Sequence, residues 1–123
     1  YTKSYLKGNS ASGNIIDVYS CSTGEMELAS MIYCSARNNL GRVFSKGIVK
    51  NSGNVYFNGF SRVEKEAEEA DVFVDEHAII MNKGAKANLV PSLEIETNNL
   101  KAGHSASVEQ FNEEKLFYLQ SRE

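Results

Sequence analysis

Apolar and polar residues alternate in short runs along most of the chain, and turn-forming residues separate the runs. Residues 14–35, NIIDVYSCSTGEMELASMIYCS, form two runs rich in Ile, Val, Tyr and Thr with Ser-Thr-Gly between them. Runs of this kind predict strands, and residues 37–50 continue the pattern. No clear helical period precedes Asn112, since residues 64–70 (EKEAEEA) have no apolar face beyond two alanines. The pattern predicts an all-β chain in which residues 64–70 form an exposed turn.

An internal repeat organises these strands. The segment GIVKNSG, which begins at Gly47, is matched by AIIMNKG, which begins at Ala78, an offset of 78 − 47 = 31 residues. The similarity continues from residues 54–64 to residues 85–96, with one residue added. A unit of this length without a crossover helix cannot be a βαβ unit. It predicts a β-solenoid whose successive coils pair at about 4.8 Å.

The solenoid interpretation assigns residues to the interior and to the corners. Asn51 and Asn82 recur at one corner, each two residues before a glycine, which suits a turn with positive φ. Pro91 is expected at a coil corner or at the start of a strand. The residues predicted to point inward are Ile48, Val55, Phe57 and Val63 in one coil, and Ile79, Ala85, Ala87, Leu93 and Ile95 in the next.

A helix start is predicted at the end of the chain. Asn112 can cap a helix that begins near Glu113, and Phe111 and Leu116 are spaced as a hydrophobic staple. The chain then ends without a helix stop signal. The sequence thus predicts a β-helix core over residues 1–111 and the start of a truncated C-terminal helical region over residues 112–123.

Composition narrows the classes of function. The 123 residues are 41% apolar with a net charge of −3, which fits one globular domain. With 13 basic against 16 acidic residues there is no basic stripe, so nucleic-acid binding is not expected. The apolar runs are far shorter than the roughly 20 residues that span a bilayer. With no signal-peptide pattern, a cytoplasmic protein without a membrane segment is predicted.

Few residues suggest chemistry of their own. Cys21 and Cys34 lack a CxxC spacing and are expected to be buried thiols, not zinc ligands or a disulfide. The acidic residues between Glu64 and Asp71 predict a solvated turn, because a cation site needs converging oxygens. There is no Gly-rich phosphate loop, GxSxG, HExxH, or nucleophile with an adjacent base. The chain is therefore predicted to have no catalytic or cofactor-binding residues and not to be an enzyme.

Three motifs carry a resemblance to a known family. They are PSLEIE at residues 91–96, GHSASV at residues 103–108 and NEEKLFYLQSR at residues 112–122. In this order they closely resemble the SufB/SufD family of iron–sulfur cluster assembly proteins, over nearly the whole chain. The segment around His104 is more similar to the SufD pattern S-H-G-A-T-V-G than to the E-H-E-A-T of SufB. The chain also has no cysteine near Glu76, where SufB carries one implicated in sulfur acceptance.

The resemblance implies a fold and a set of partners. It implies a right-handed parallel β-helix that acts as a scaffold of the SUF complex, most like SufD. The partners implied are a SufB-type subunit, or a second copy of the chain in a homodimer, and a SufC-type ATPase that docks through the C-terminal region. No intrinsic cofactor is implied, only transient iron or an iron–sulfur cluster in the full complex.

The resemblance also singles out candidate metal ligands. It places His104 at the seam between subunits, as a ligand of iron or of a nascent cluster, a role that suits a neutral imidazole. Glu76 and His77 precede it by 28 and 27 positions, close to one coil, and are predicted to lie near it. One histidine cannot hold a cluster, so the remaining ligands would come from the partner.

Two other classes of function stay open at this point. A β-helix carbohydrate-active enzyme would need paired carboxylates with aromatic platforms, whereas this chain has no Trp and its acids cluster in a turn. A purely structural interaction module would bind its partner equally well without His104.

Overall fold

The structure, a computed structural model, describes residues 1–112, 118, 120 and 121. The described chain is built from strands, in agreement with the all-β prediction. The strands are β1 (Thr2–Leu6), β2 (Ser12–Cys21), β3 (Glu25–Cys34), β4 (Leu40–Val49), β5 (Asn54–Val63), β6 (Ala70–Ile80), β7 (Lys86–Ile95) and β8 (Leu100–Gln110).

The strands form two parallel sheets whose members alternate along the chain. Sheet 1 has the order β1-β3-β5-β7 and sheet 2 has the order β2-β4-β6-β8. Each coil therefore contributes one strand to each sheet, and about four coils stack into a β-solenoid. The predicted solenoid is confirmed.

The register between coils follows the sequence repeat. Gly47 pairs with Ala78 and Ile48 with Ile79, the predicted offset of 31 residues. In sheet 1, Asn54 pairs with Lys86, an offset of 86 − 54 = 32 residues. The offset exceeds 31 by the one residue that the sequence repeat adds. Since side chains alternate between the two faces of a strand, residues in register share a face through the whole stack.

The interior between the sheets, called the lumen here, has two apolar clusters with a polar belt between them. The inward residues of β4 are Gly41, Val43, Ser45, Gly47 and Val49, so a polar serine lies between the valines near the two ends of the strand. The first cluster comprises Leu6, Ile15, Ile32, Cys34, Val43, Val63, Ala67, Ala70, Val72 and Val74. The second comprises Cys21, Val49, Val55 and Ala85.

The polar belt runs along the stack in register. Asp17 pairs with Ser45, and Ser45 pairs with Glu76. Two hydrogen bonds cross the lumen to sheet 1: the Ser30 hydroxyl donates to Asp17 at 2.5 Å, and the Gly59 amide donates to Glu76 at 2.6 Å. The two sheets are therefore joined across the lumen by polar contacts as well as by apolar packing.

Some of the predicted inward residues are confirmed and others are wrong. Val55, Phe57 and Val63 are fully buried, and Ala85 is 5% exposed. Ile48 is 42% exposed because it alternates with the buried Val49, and Ile79 stacks on it on the outer face. Ile48 and Ile79 were assigned inward because they are apolar, yet strand alternation turns them outward.

The inward residues of the last coil are less covered. Leu93 and Ala87 are partly buried and pack against the two clusters. Ile95 is in register with the buried Val63 but is 41% exposed, since β7 is the last strand of sheet 1 among the described residues. The predicted face of Ile95 is correct, and its exposure follows from the end of the stack.

The Asn51 corner is a turn, as predicted, but Gly53 does not have the role in it that the sequence suggested. Asn51 itself adopts positive φ, at 55°, and bonds the Asn82 side chain through both its N–H and its carbonyl oxygen. A Cβ on Gly53 would lie 2.6 Å from the Cys21 carbonyl oxygen. Gly53 is needed for the close approach of neighbouring coils and not, as expected, for positive φ.

Pro91 lies in the middle of β7 and not at the predicted corner or strand start. A missing N–H is tolerated there because β7 pairs on one side only within the described residues. Residues 64–69 are a turn, as predicted for residues 64–70, but Ala70 already begins β6. The predicted exposure is wrong for Ala67 and Ala70, which are buried in the first apolar cluster. The predicted helix start near Glu113 lies largely outside the described residues. Within the described part, no helix has the length and apolarity to cross a membrane.

Candidate metal site at the open end of the lumen

His104 lies on β8, the last strand of sheet 2 in the described chain, and belongs to the inner face. It is in register with Val74, whose side chain is fully buried in the lumen. The neighbouring Gly103 faces the other way, because a Cβ there would lie 2.9 Å from the Phe73 ring on the outer face. His104 is nonetheless exposed, because no further strand covers β8 among the described residues. Within the described residues, the imidazole therefore stands at an open end of the lumen.

Glu76 is the charged residue closest in register to His104 on the inner face. It pairs with Ala106, two residues beyond His104 on the same strand, so the two side chains are diagonal neighbours on one face. Glu76 is fully buried, and only its Oε1 accepts a hydrogen bond, from the Gly59 amide. Its Oε2 has no hydrogen-bond partner. The carboxyl group thus has a buried oxygen without a hydrogen-bond partner, one strand in from the last described strand of sheet 2.

The interior around Glu76 favours the neutral acid. Burial raises the pKa of Glu76 from its ordinary value near 4.5 to about 7, against the Gly59 hydrogen bond, which lowers it. Burial and the nearby Glu76 raise the pKa of Tyr19 to about 12. A Cβ on Gly59 would lie 2.5 Å from Glu76 Oε1, so the glycine makes room for the carboxyl group. Glu76 can therefore take up or release a proton near neutral pH.

His77 lies on the opposite face of sheet 2. It alternates with the buried Glu76 along β6, and its side chain is 35% exposed. Its Nε2 lies 2.8 Å from Asp75 Oδ1, and its Nδ1 lies 2.5 Å from the Ser107 hydroxyl. Of the two residues predicted to lie near His104, the structure brings Glu76 to the same face and His77 to the other.

The remaining candidate ligands do not form a metal centre. Among the described residues, no group of three or more His, Cys, Asp or Glu side chains could hold a metal ion. Cys21 and Cys34 are free and buried, as expected, and burial raises the pKa of the Cys34 thiol to about 11. That value keeps Cys34 protonated near neutral pH and unsuited to binding iron, which prefers the thiolate.

The acidic turn is occupied by surface ion pairs. Arg37 contacts Glu68 at 3.2 Å and Glu69 at 3.1 Å, with all three side chains at least half exposed. Arg42 contacts Asp71 at 3.1 Å. The acids pair with arginines one coil away and do not converge on a common point.

Sequence reasoning missed two features of this region. One is the polar belt, whose signal was present in the spacing from Asp17 to Ser45 to Glu76. The other is the pairing of Ser107 with His77, although no nucleophile beside a base was expected. The signal for that pair was the one-coil spacing of 107 − 77 = 30 residues.

These features define a class of protein: a two-sheet parallel β-solenoid with a polar lumen that ends at a histidine. Residues 1–122 match the family described as SUF system FeS cluster assembly, SufBD core domain. The chain belongs to the SufBD family.

Individual relatives agree with the family match. The chain is 32% identical over 124 residues to the iron–sulfur cluster assembly protein SufB of Bacillus subtilis. It is 30% identical over 124 residues to an iron–sulfur cluster assembly SufBD family protein of Staphylococcus epidermidis. Each alignment covers 99% of this chain and 26% of the relative. The chain thus spans about a quarter of the length of the curated relatives it matches.

Proposed function

We propose that this chain is a scaffold segment of an iron–sulfur cluster assembly complex of the SUF type, without catalysis of its own. The observation that carries the proposal is membership of the SufBD family over residues 1–122. Iron or a nascent cluster is the cargo of such a scaffold. The proposed role of the solenoid is to present ligands for that cargo at the open end of the lumen.

His104 is proposed as the first ligand and Glu76 as the second. The imidazole is exposed on the inner face, and imidazole nitrogen suits iron. Glu76 contributes a carboxyl oxygen that has no hydrogen-bond partner within the protein. Cargo binding would require Glu76 to lose its proton, which is accessible because its pKa is about 7.

The remaining ligands are proposed to come from a partner subunit. Two side chains cannot complete the coordination of an iron–sulfur cluster, because a cluster is usually held by four protein ligands in total. The proposed partner is a SufB-type subunit or a second copy of this chain, with a SufC-type ATPase supplying the energy of rearrangement. Within the described residues β8 pairs on one side only, and backbone groups along its other edge are available for such an association.

The assignment within the family is proposed as SufD-like. It rests on the GHSASV segment and on the absence of a cysteine near Glu76, where the family resemblance places a SufB cysteine. A protein without a thiol there would hold cargo through nitrogen and oxygen ligands. It would depend on a SufB-type partner for the sulfur-accepting cysteine.

The test is cluster reconstitution in the full-length protein with its partner subunits. Iron and sulfide are supplied under anaerobic conditions, and the bound cluster is followed by visible absorbance and iron content. We expect His104→Ala to lower the bound cluster severalfold. His77→Gln is the matched control, because His77 is on the outer face, and it should leave the cluster content unchanged.

Several outcomes would count against the proposal. Equal cluster content in the His104→Ala and unaltered proteins would remove His104 from the site. Equal loss in the His77→Gln protein would remove the distinction between the faces. Partner binding that survives His104→Ala, together with no cluster in any variant, would favour a purely structural interaction module.

A further inference from the structure

Four polar side chains form a connected network on the outer face of sheet 2. His77 Nδ1 lies 2.5 Å from Ser107 Oγ, and His77 Nε2 lies 2.8 Å from Asp75 Oδ1. The Ser105 hydroxyl donates to the same Asp75 oxygen at 2.8 Å. The solenoid register produces this network, because Asp75 pairs with Ser105 and His77 pairs with Ser107.

The hydrogen bonds fix what each nitrogen of His77 does. An ionised carboxylate only accepts hydrogen bonds, so Nε2 of His77 carries the proton that is donated to Asp75. In the neutral ring Nδ1 then has a lone pair, which accepts the hydroxyl proton of Ser107. A serine hydroxyl bonded to an imidazole that a carboxylate orients is the arrangement that activates serine nucleophiles. In the usual serine triad Nε2 contacts the serine and Nδ1 contacts the carboxylate. Here Nδ1 contacts the serine and Nε2 the carboxylate, and the proton transfer is the same.

The surroundings leave room for an electrophile. His77 and Ser107 line a surface pocket of about 100 Å³ together with Lys46, Ala78, Ile79 and Glu109. Lys46 is in register with His77 and brings a positive charge to the pocket. The Phe44 ring packs against the imidazole, with the two centroids 5.9 Å apart, and helps to hold it in place. A pocket of this size, with one cation and one acid at its edge, admits a short uncharged acyl group.

We propose that Ser107 is a base-activated nucleophile that accepts a short acyl group from an activated acyl donor. His77 Nδ1 takes the hydroxyl proton as Ser107 Oγ attacks the carbonyl carbon of the donor. The bond from that carbon to its leaving group then breaks, and His77 passes the proton to the leaving group. The products are an O-acyl serine and the protonated leaving group, with no change of oxidation state.

The product is a modified serine, which is compatible with a scaffold that has no turnover. The proposal is independent of cluster binding, which involves the inner face of the same strands. The modified Ser107 would lie on the outer face of β8. The same two strands, β6 and β8, carry Glu76 and His104 on their inner faces.

The probe is 4-nitrophenyl acetate, applied to the folded protein and followed by mass spectrometry of the peptides. We expect acetylation at Ser107. In the His77→Gln protein the rate of labelling should fall about a hundred-fold, the size of a general-base contribution. Ser107→Ala should remove the labelled peptide. Circular dichroism checks that each variant keeps the strand content of the unaltered protein.

Ser105 is the matched control, since it has the same strand, the same face and a hydroxyl bonded to carboxylate instead of imidazole. Labelling of Ser105 as fast as Ser107 would overturn the proposal. So would acetylation of Lys46 with Ser107 unmodified, or an unchanged rate in the His77→Gln protein.

Asp75 is a positioning residue, and its role has a separate readout. The ¹⁵N chemical shifts of His77 should report the proton on Nε2 in the unaltered protein. In the Asp75→Asn protein, the side-chain amide can donate to Nε2, which moves the ring proton to Nδ1 and removes the base. Slow labelling with an unchanged ring tautomer would contradict this role.

Discussion

The outer and inner faces of β6 and β8 each carry an acidic residue and a histidine, but the two faces differ in burial and in hydrogen-bond partners. On the outer face, Asp75 and His77 contact Ser105 and Ser107, and every one of these side chains has a partner. On the inner face, Glu76 is fully buried with one oxygen unpaired. Water and neighbours stabilise charge on the outer face, whereas burial forces the inner carboxyl group to keep its proton up to neutral pH.

This contrast shows why position in register matters more than residue type. The chain has two histidines, and they lie on adjacent strands of one sheet. His77 belongs to the outer face, where its ring nitrogens are occupied by neighbours. His104 belongs to the inner face at the open end, which is why we propose it, and not His77, as the metal ligand.

The largest expected effect separates two phenylalanines on the two faces. Phe57 is fully buried and stacks on Tyr19 with ring centroids 5.9 Å apart. We expect Phe57→Ala to lower the free energy of unfolding by about 4 kcal/mol, from lost burial and the cavity left behind. Phe44→Ala, on the outer face, should cost about 1 kcal/mol. Equal losses in denaturant unfolding would refute the assignment of faces.

The second prediction concerns the pH dependence of stability. Because the pKa of Glu76 is raised to about 7 in the folded protein, the folded state binds more protons than the unfolded state between pH 4.5 and 7. The contribution of Glu76 to the free energy of unfolding should therefore be highest below pH 4.5 and fall by about 3 kcal/mol as the pH rises from 4.5 to 7.

The Glu76→Gln protein isolates this contribution from other groups. Glutamine keeps the shape and the acceptor for the Gly59 amide but does not ionise. The difference in stability between the two proteins should grow with pH across this window. A difference that is constant from pH 4 to pH 8 would show that Glu76 ionises as in water.

The smallest effect is expected at the corners. Arg37 pairs with Glu68 and Glu69, and all three side chains are at least half exposed. Exposed ion pairs contribute little, so Arg37→Ala should change the free energy of unfolding by about 0.5 kcal/mol or less. A loss of several kcal/mol in urea unfolding would mean that these ion pairs at the corner, and not the packing in the lumen, hold the coils together.

Much of the fold could be predicted because the repeat is explicit in the sequence. The match of GIVKNSG to AIIMNKG gave the offset that the register confirms, and the alternating runs gave the strands. The assignment of Ile48 and Ile79 to the interior was wrong because the apolar character of a residue does not say which face it occupies. That information comes from neighbours such as Val49, whose burial fixes the alternation.

The candidate site was less accessible to sequence reasoning. Resemblance to the family singled out His104, and the spacing of about one coil pointed to both Glu76 and His77. Only the register could separate those two, because adjacent residues of a strand face opposite ways. The Ser107–His77 pair was missed because its members are 30 residues apart and meet only when the coils stack.

The most direct test of the central claim is pulsed electron paramagnetic resonance on the reduced cluster of the reconstituted full-length complex. It detects magnetic coupling to a nitrogen that is bonded to iron. We predict an imidazole nitrogen coupling that is present in the unaltered and His77→Gln proteins and absent in the His104→Ala protein. The same coupling in the His104→Ala protein, or its loss in the His77→Gln protein, would contradict the assignment of the metal site to the inner face.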